Sequence, residues 1–368
     1  MITRVELKER WLRLDWMVLL PAFLLLIISI LFIYSAAYQR EELNLQSLYR
    51  MQMLWVGVGA VIMLAAALVR GSFLEALCWP LYVGGLILLA LVFVLGEEIS
   101  GARRWLKLGI LIQPSEFAKI TTIVALAVFL SRRSARRGAT ILGAAAITGI
   151  PFLMIASQPD LGSAAVLIPI AFSMLFVAGL PLRVLGLLIL LGIVSMPLGW
   201  HLLRDYQKER IKVHLDPSRD PYGSGYNKLQ SEIAIGSGGL TGKGYLKGTQ
   251  NALGYLPRKV APTDFIFSVI AEETGFVGCC GLLALFSWVL AGFLRAVYAA
   301  RDRFGRLLVT GLMAMFFTHV FVNIGITAGI LPIKGLPLPL VSYGGSFMIA
   351  TMAAIGLVQG VYSQRTQR

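Results

Sequence analysis

GSGGLTGKGYLKGTQNALGYLPRKVAPTDFIFSVIAEETG, residues 236–275, joins two unlike halves. Gly236, Gly238, Gly239, Gly242, Gly244, Gly248 and Gly254 crowd the first half, a density suited to backbone that bends at positive φ or packs closely against another segment. The second half turns apolar at Phe265, with Asp264 at the boundary, and the apolar run continues to residue 298. With a helix starting there, Asp264, Ser268 and Glu272 fall at i, i+4 and i+8 and share one face. A helix cap would explain the acid. It would leave the glycine-dense loop beside it without a reason.

Working outward, the chain of 368 residues is 57% hydrophobic and only 14% charged, which puts it in the membrane class on composition alone. A bilayer core needs about 20 apolar residues per helix. Ten candidate spans follow: 15–36, 51–70, 74–96, 114–131, 138–157, 162–180, 183–203, 265–298, 306–330 and 343–364. The run 265–298 is too long for one straight helix, so the expectation is a short piece through Glu273, a break near Gly275 and Gly278, then the main helix. The first span has a basic flank and Ser35-Ala36-Ala37 after it, but it exceeds the apolar length of about 7–15 residues in a signal peptide. Cys78, Cys279 and Cys280 all fall in apolar runs and read as small hydrophobes.

The net charge of +14 would suggest nucleic acid in a soluble protein. Here the cations sit mainly in short loops, where they report orientation and contact with lipid headgroups instead. With the N-terminus inside, the inner segments hold sixteen Lys and Arg and the short outer ones six. The expected fold is an all-α polytopic membrane protein of ten transmembrane helices, both termini cytoplasmic, with a long outer loop between helices 7 and 8. That loop, 204–263, lacks the apolar content for a core of its own, so residues 1–368 read as one membrane domain. Within it, Tyr206 to Leu215 extends the seventh helix up to Asp216-Pro217. Tyr226, Leu229 and Ile233 mark a short amphipathic helix lying on the membrane. The orientation gathers Arg103 to Lys107, Glu116, Asp160, Asp264 and Ser342 to Ser346 at the outer face. The inner loops carry no glycine-rich phosphate loop, so ATP chemistry is not indicated.

Glu116 and Lys119 stand i, i+3 on a helix opened by Pro114. Charges within a span are costly and are usually paired inside the protein, so an ion pair and a substrate contact both remain open. Arg103, Arg104 and Trp105 fit interfacial anchoring best, although two cations at headgroup depth would also suit a pyrophosphate. Asp160, after Gln158-Pro159, reads as a cap of the sixth helix. His319, Asn323 and Thr327, at i, i+4 and i+8, form a polar stripe suited to interhelix hydrogen bonds. No His/Cys cluster or carboxylate triplet has metal-ligand spacing. Mg²⁺ or Mn²⁺ held by Asp264 and substrate phosphates stays compatible with the sequence.

Several motifs together resemble the SEDS family (shape, elongation, division and sporulation), its RodA-type branch more than its FtsW-type branch. They are Gly101 to Trp105, Gln113-Pro-Ser-Glu-Phe-Ala-Lys119, Gln158-Pro-Asp-Leu-Gly162, Ile235 to Leu240, Gly242-Lys-Gly244, Gly248-Thr-Gln250, Thr263-Asp-Phe-Ile-Phe267, Ala271-Glu-Glu273 and Pro339 to Ser346. The one departure is Arg258-Lys-Val-Ala-Pro262, longer than the family's segment and without its His. The resemblance implies a peptidoglycan glycosyltransferase that polymerises lipid II at the outer face of the bacterial cytoplasmic membrane during elongation. It implies a class B penicillin-binding protein and other elongation-complex proteins as partners, and neither nucleotide nor haem as cofactor. Asp264 would be the catalytic base, with Arg103, Trp105, Lys119, Glu116 and Asp160 at the substrate. A flippase of lipid-linked precursors and a non-enzymatic scaffold are the alternatives.

Overall fold

The computed structural model describes residues 14–38, 47–99, 102–202, 205–256, 260–332 and 335–365. Arg258, Lys259, Gly101 and Lys334 lie outside them. The chain is mostly helical. In order come α1 (Trp16–Tyr38), α2 (Leu48–Leu68), α3 (Gly71–Leu95), strands β1 (Glu97–Ile99), β2 (Ala102–Leu108) and β3 (Ile110–Ile112), then α4 (Pro114–Ser131), α5 (Gly138–Ser157) and α6 (Leu161–Val177). After them come α7 (Leu182–Val194), α8 (Met196–Leu202), α9 (Asp205–Leu215), α10 (Ser224–Ser237), α11 (Thr249–Ala252), α12 (Ile266–Ala299), α13 (Arg303–Thr327) and α14 (Gly345–Ser363).

Eight of these helices are long and apolar enough to cross a membrane, and Leu161–Val177 and Leu182–Leu198 are shorter apolar helices at the sixth and seventh expected spans. The protein is a polytopic membrane protein. Its exposed Leu, Val and Phe side chains, such as Val94, Leu142, Leu153 and Leu198, are what a lipid-facing surface requires. The all-helical expectation needs one correction. Residues 97–112 form a three-stranded antiparallel sheet, β1-β2-β3, with Gly109 at positive φ in the tight turn between β2 and β3.

The core is built from paired helices: α2 on α14, α1 on α12, α3 on α4, and α13 against α4, α6 and α12. Small residues let backbones approach, as membrane packing favours. A Cβ on Gly356 of α14 would lie 2.3 Å from the carbonyl oxygen of Met63 on α2. At one membrane face Asp15 joins three elements. Its N–H donates to Gln359 Oε1 at 2.7 Å, its carbonyl accepts from Gln359 Nε2 at 3.0 Å, and Arg295 donates to its carboxylate at 3.2 Å.

The break in α12 falls at Gly275 (φ 64°, ψ −163°), while Gly278 stays helical. Only glycine adopts such a conformation without strain. The glycine-dense loop closes on this break. Lys243 N donates to Glu272 O and Gly244 N to Glu273 O, both at 3.0 Å, while Phe276 N and Val277 N donate back to Gly239 O and Leu240 O. A Cβ on Gly242 would lie 2.1 Å from Glu273 O. Loop and broken helix therefore form one clasp, which accounts for the glycines. Farther along the loop, α9 ends before Asp216 as expected. α10 buries Ser231 and Ala234 and leaves Leu229 and Ile233 exposed.

Candidate functional site

The donors of the clasp go not to Asp264 but to Glu272 and Glu273, a little over two helical turns further along. Glu272 Oε1 accepts from Lys243 Nζ at 2.7 Å, Gln250 N at 2.8 Å and Thr249 Oγ1 at 3.2 Å. Glu273 Oε2 accepts from Leu246 N at 3.1 Å, and its other oxygen from Ser35 Oγ on α1. Ser268, the middle member of the expected stripe, bonds Ser231 of α10 at 2.7 Å. Asp264 itself lies just before α12, whose N-cap is Phe265 with no side-chain cap bond. The capping role is therefore not the one Asp264 has.

Its backbone is held firmly. Asp264 N donates to Val260 O at 2.9 Å, and Asn323 Nδ2 of α13 donates to Asp264 O at 2.9 Å and to Leu336 O at 2.7 Å. The Ser342 hydroxyl donates to Thr263 O, and Tyr343 N to Pro262 O at 2.9 Å. Among the described residues, by contrast, no hydrogen bond reaches the Asp264 carboxylate. One of its oxygens lies 3.0 Å from where a Cβ on Gly335 would stand, so the chain passes close over it. Burial foremost pushes this carboxyl up to about 6. Asp160 adds to the rise, while Arg104 and Arg210 oppose it.

Three further elements converge there. Asp160 caps α6, accepting from Ser163 N at 3.2 Å, and its second oxygen accepts from Gln113 Nε2 at 3.2 Å. Gln113 N donates to Ser346 Oγ at 3.1 Å, which fastens the start of α4 to the start of α14. One turn into α4, Lys119 Nζ is fully buried and lies 2.9 and 3.0 Å from the two Glu116 oxygens. It also lies 2.9 Å from His319 Nε2 of α13. An ammonium only donates, so this ring nitrogen accepts. Asp160 and Arg104 both act electrostatically on Glu116 as they do on Asp264, so all four belong to one cluster.

The strand β2 decides which arginine belongs to it. Successive strand residues point to opposite faces. Arg103 is largely exposed, 4.0 Å from Glu98, and its neighbour Lys107 pairs with Glu97 at 3.4 Å. Arg104 is half-buried, with its Nε enclosed and unpartnered. Trp105 is half-buried and its Nε1 likewise enclosed. The sequence singled out Arg103; the cations whose charges reach Asp264 are Arg104 of β2 and Arg210 of α9. Gly162, Val166, Val322, Leu331 and Leu336 line an apolar groove of about 260 Å³ between α6 and α13, tied to the Asp264 backbone through Asn323, which bonds both Leu336 O and Asp264 O. No group of three or more His, Cys, Asp or Glu side chains suited to a metal occurs among the described residues.

The polytopic helical bundle thus gathers the acids Asp160, Glu116 and Asp264, the cation Arg104 and an apolar groove at one face. The chain belongs to the family described as Cell cycle protein (FTSW_RODA_SPOVE), which matches residues 15–367. It is 42% identical over 355 residues to the peptidoglycan glycosyltransferase MrdB of Escherichia coli, covering 96% of this chain and 94% of that protein. It is also similar to a solved chain from a peptidoglycan synthase complex described as coordinating polymerization and crosslinking. There the TM-score is 0.81 and the identity 35%, over 96% of this chain and 99% of that one. The rod shape determining protein RodA of Thermus thermophilus matches with TM-score 0.73 and 33% identity, over 97% and 99%.

Proposed function

We propose that this protein is a peptidoglycan glycosyltransferase of the bacterial cytoplasmic membrane, polymerising lipid II at the outer face during cell elongation. The observation that carries the reading is the Asp264 carboxylate. It is fixed by its backbone, free of hydrogen-bond donors among the described residues, and set between Arg104 and an apolar groove. The topology that goes with it has ten membrane crossings, both termini cytoplasmic and residues 204–263 outside, all within one membrane domain.

The donor sugar is α-linked to a polyprenyl pyrophosphate and the product is β-linked, so a single inverting displacement suffices. Asp264 takes the proton from the acceptor 4-hydroxyl as that oxygen bonds to the donor anomeric carbon. The bond to the pyrophosphate breaks with its electron pair leaving on the phosphate oxygen. Arg104, in place of the exposed Arg103, stabilises that charge. The polyprenyl chain lies along the groove beside Gly162 and Leu336. Asp160 borders the substrate and keeps Gln113 and the start of α6 in position, while Trp105 lies on the other face of β2 from Arg104. Lys119 works through Glu116 and His319, because its donors are already directed at them. Mg²⁺ or Mn²⁺ would have Asp264 and the substrate phosphates as ligands, a set common for Mg²⁺, and would add charge stabilisation at the pyrophosphate.

The similarity to a chain of a synthase complex that couples polymerization to crosslinking supports a class B penicillin-binding protein as partner. Incubating purified protein, alone and with that partner, with labelled lipid II tests the reading. Glycan strands are expected. Movement of lipid II across vesicles without polymer would favour a flippase, and neither result would favour a scaffold.

A further inference from the structure

Asn323 of α13 is fully buried, and its amide reaches two separate segments of chain. Nδ2 donates to Asp264 O at 2.9 Å and to Leu336 O at 2.7 Å, which uses both of its hydrogens. Oδ1 is enclosed, with no donor among the described residues. An amide buried in a membrane helix is costly, and an apolar side chain would remove that cost. What Asn323 supplies, and an apolar residue could not, is the link between the two carbonyls.

Those carbonyls belong to the two parts of the site. Asp264 carries the carboxylate assigned above as the base. Leu336 lines the apolar groove between α6 and α13. Its neighbour Gly335, at φ 58°, passes over the carboxylate, where a Cβ would lie 3.0 Å from Asp264 Oδ2. One nitrogen serving both carbonyls fixes the separation of base and groove. The nitrogen is itself held by its helix. One turn earlier, His319 Nε2 accepts from the buried Lys119 at 2.9 Å, which joins α13 to α4 and sets the face on which Asn323 stands. One turn later, the Thr327 hydroxyl bonds the backbone of its own helix, at Asn323 O and Ile324 O.

We propose that Asn323 is a positioning residue for glycosyl transfer, holding the Asp264 carboxylate under the Gly335 backbone and at a set distance from the groove that receives the donor lipid. The proposal rests on the reading of Asp264 as the base. Without the amide, two buried carbonyls lose their donor, and the Asp264 turn parts from the segment 335–338. The carboxylate then shifts relative to the bound donor and takes up water. A misplacement of about 1 Å at a reacting group can cost about 10²-fold in rate. Asn323 acts through Asp264 and Leu336, so substrate binding does not depend on it.

The test is lipid II polymerisation by the purified full chain with its penicillin-binding partner, with kcat and KM measured across pH at saturating Mg²⁺. Asn323→Leu, of similar size but without donors, should lower kcat about 10²-fold and leave KM near its native value. Burial is the main cause that raises the Asp264 carboxyl to about 6, and the charged groups acting on it, Asp160, Arg104 and Arg210, are untouched by the substitution. Hydration of the carboxylate should therefore move the acid limb of the rate profile from about pH 6 toward the ordinary carboxylate range. Asn323→Ser, a smaller change that keeps a polar group at the buried site but offers one donor for two carbonyls, should shift kcat and limb the same way by less. Thr327→Val, on the same helix face, should leave both unchanged. Native kcat and limb in both Asn323 variants would overturn the positioning role and leave Asp264 as the base. A lowered kcat with an unmoved limb, the mark of a merely structural loss, would overturn it too, as would a loss confined to KM. A native profile without an acid limb would remove Asp264 as the base, and the proposal with it.

Discussion

Asp264 and the Glu272–Glu273 pair lie within nine residues of each other, and the fold treats their carboxylates in opposite ways. Glu272 and Glu273 are buried, and Glu272 Oε1 and both Glu273 oxygens accept from Lys243, Leu246, Thr249, Gln250 and Ser35, while Glu272 Oε2 is enclosed without a donor among the described residues. Asp264 has its backbone bonded from two sides and its carboxylate bonded by no described residue. The difference separates two uses of an acid in a membrane protein. A carboxylate with its donors supplied holds segments together. One kept short of donors while its backbone is fixed retains a lone pair for a proton.

The comparison can be broken most sharply at Asp264. Asp264→Asn keeps size and backbone bonds but cannot accept a proton, so lipid II polymerisation should fall by about 10²–10⁴-fold. Thermal stability and binding of the penicillin-binding partner should be retained. A loss of stability matching that of a clasp variant would put Asp264 with the structural acids. Partial rescue by raised Mg²⁺ or Mn²⁺ would shift its role from base to metal ligand.

Lys119→Ala should act on the fold. Removing it leaves Glu116 buried and unpaired, at a cost of about 3–5 kcal/mol. A lowered melting temperature in detergent, measured beside activity, checks this; full stability with full activity would remove the pair from both roles. The two arginines of β2 give a contrast within one strand. Arg104→Gln should reduce polymerisation by about 10²-fold. Arg103→Gln should change stability and activity little, its partner being an exposed acid. The reverse ranking would mean that the strand presents its other face to the substrate.

At the clasp the expected effect is smaller. Gly275→Ala puts a Cβ 2.3 Å from Gly242 N at a positive φ, costing roughly 1–3 kcal/mol. It should lower the melting temperature while the pH dependence of residual activity stays unchanged.

Much of this arrangement could be read from the sequence where the signal was local. A 34-residue apolar run with glycines inside it had to break, and it breaks at Gly275. Glu116 and Lys119 were adjacent on a helix by spacing alone. The polar stripe His319, Asn323 and Thr327 was visible too. Its partners were not, because His319 meets Lys119 across 200 residues of chain. The sheet at 97–112 was missed because its strands are short and lie between apolar helices. Reading it as a loop hid the alternation that sets Arg103 and Arg104 on opposite faces of β2. The glycine-dense loop stands out by its composition, and its place next to Asp264 in the sequence says nothing of the acids it bonds. Which acid it serves depends on the fold of α12, which no spacing rule reports.

The claim that Asp264 is the base is tested most directly by the pH dependence of lipid II polymerisation at saturating Mg²⁺. An acid whose folded pKa lies at about 6 is protonated, and idle as a base, below that value. The rate of the native protein should therefore be level above about pH 7 and fall tenfold per unit below about pH 6. The small residual rate of Asp264→Asn should lack that slope. A native profile that stays flat from pH 7 to pH 5, or an Asn variant that keeps the same slope, would contradict the account.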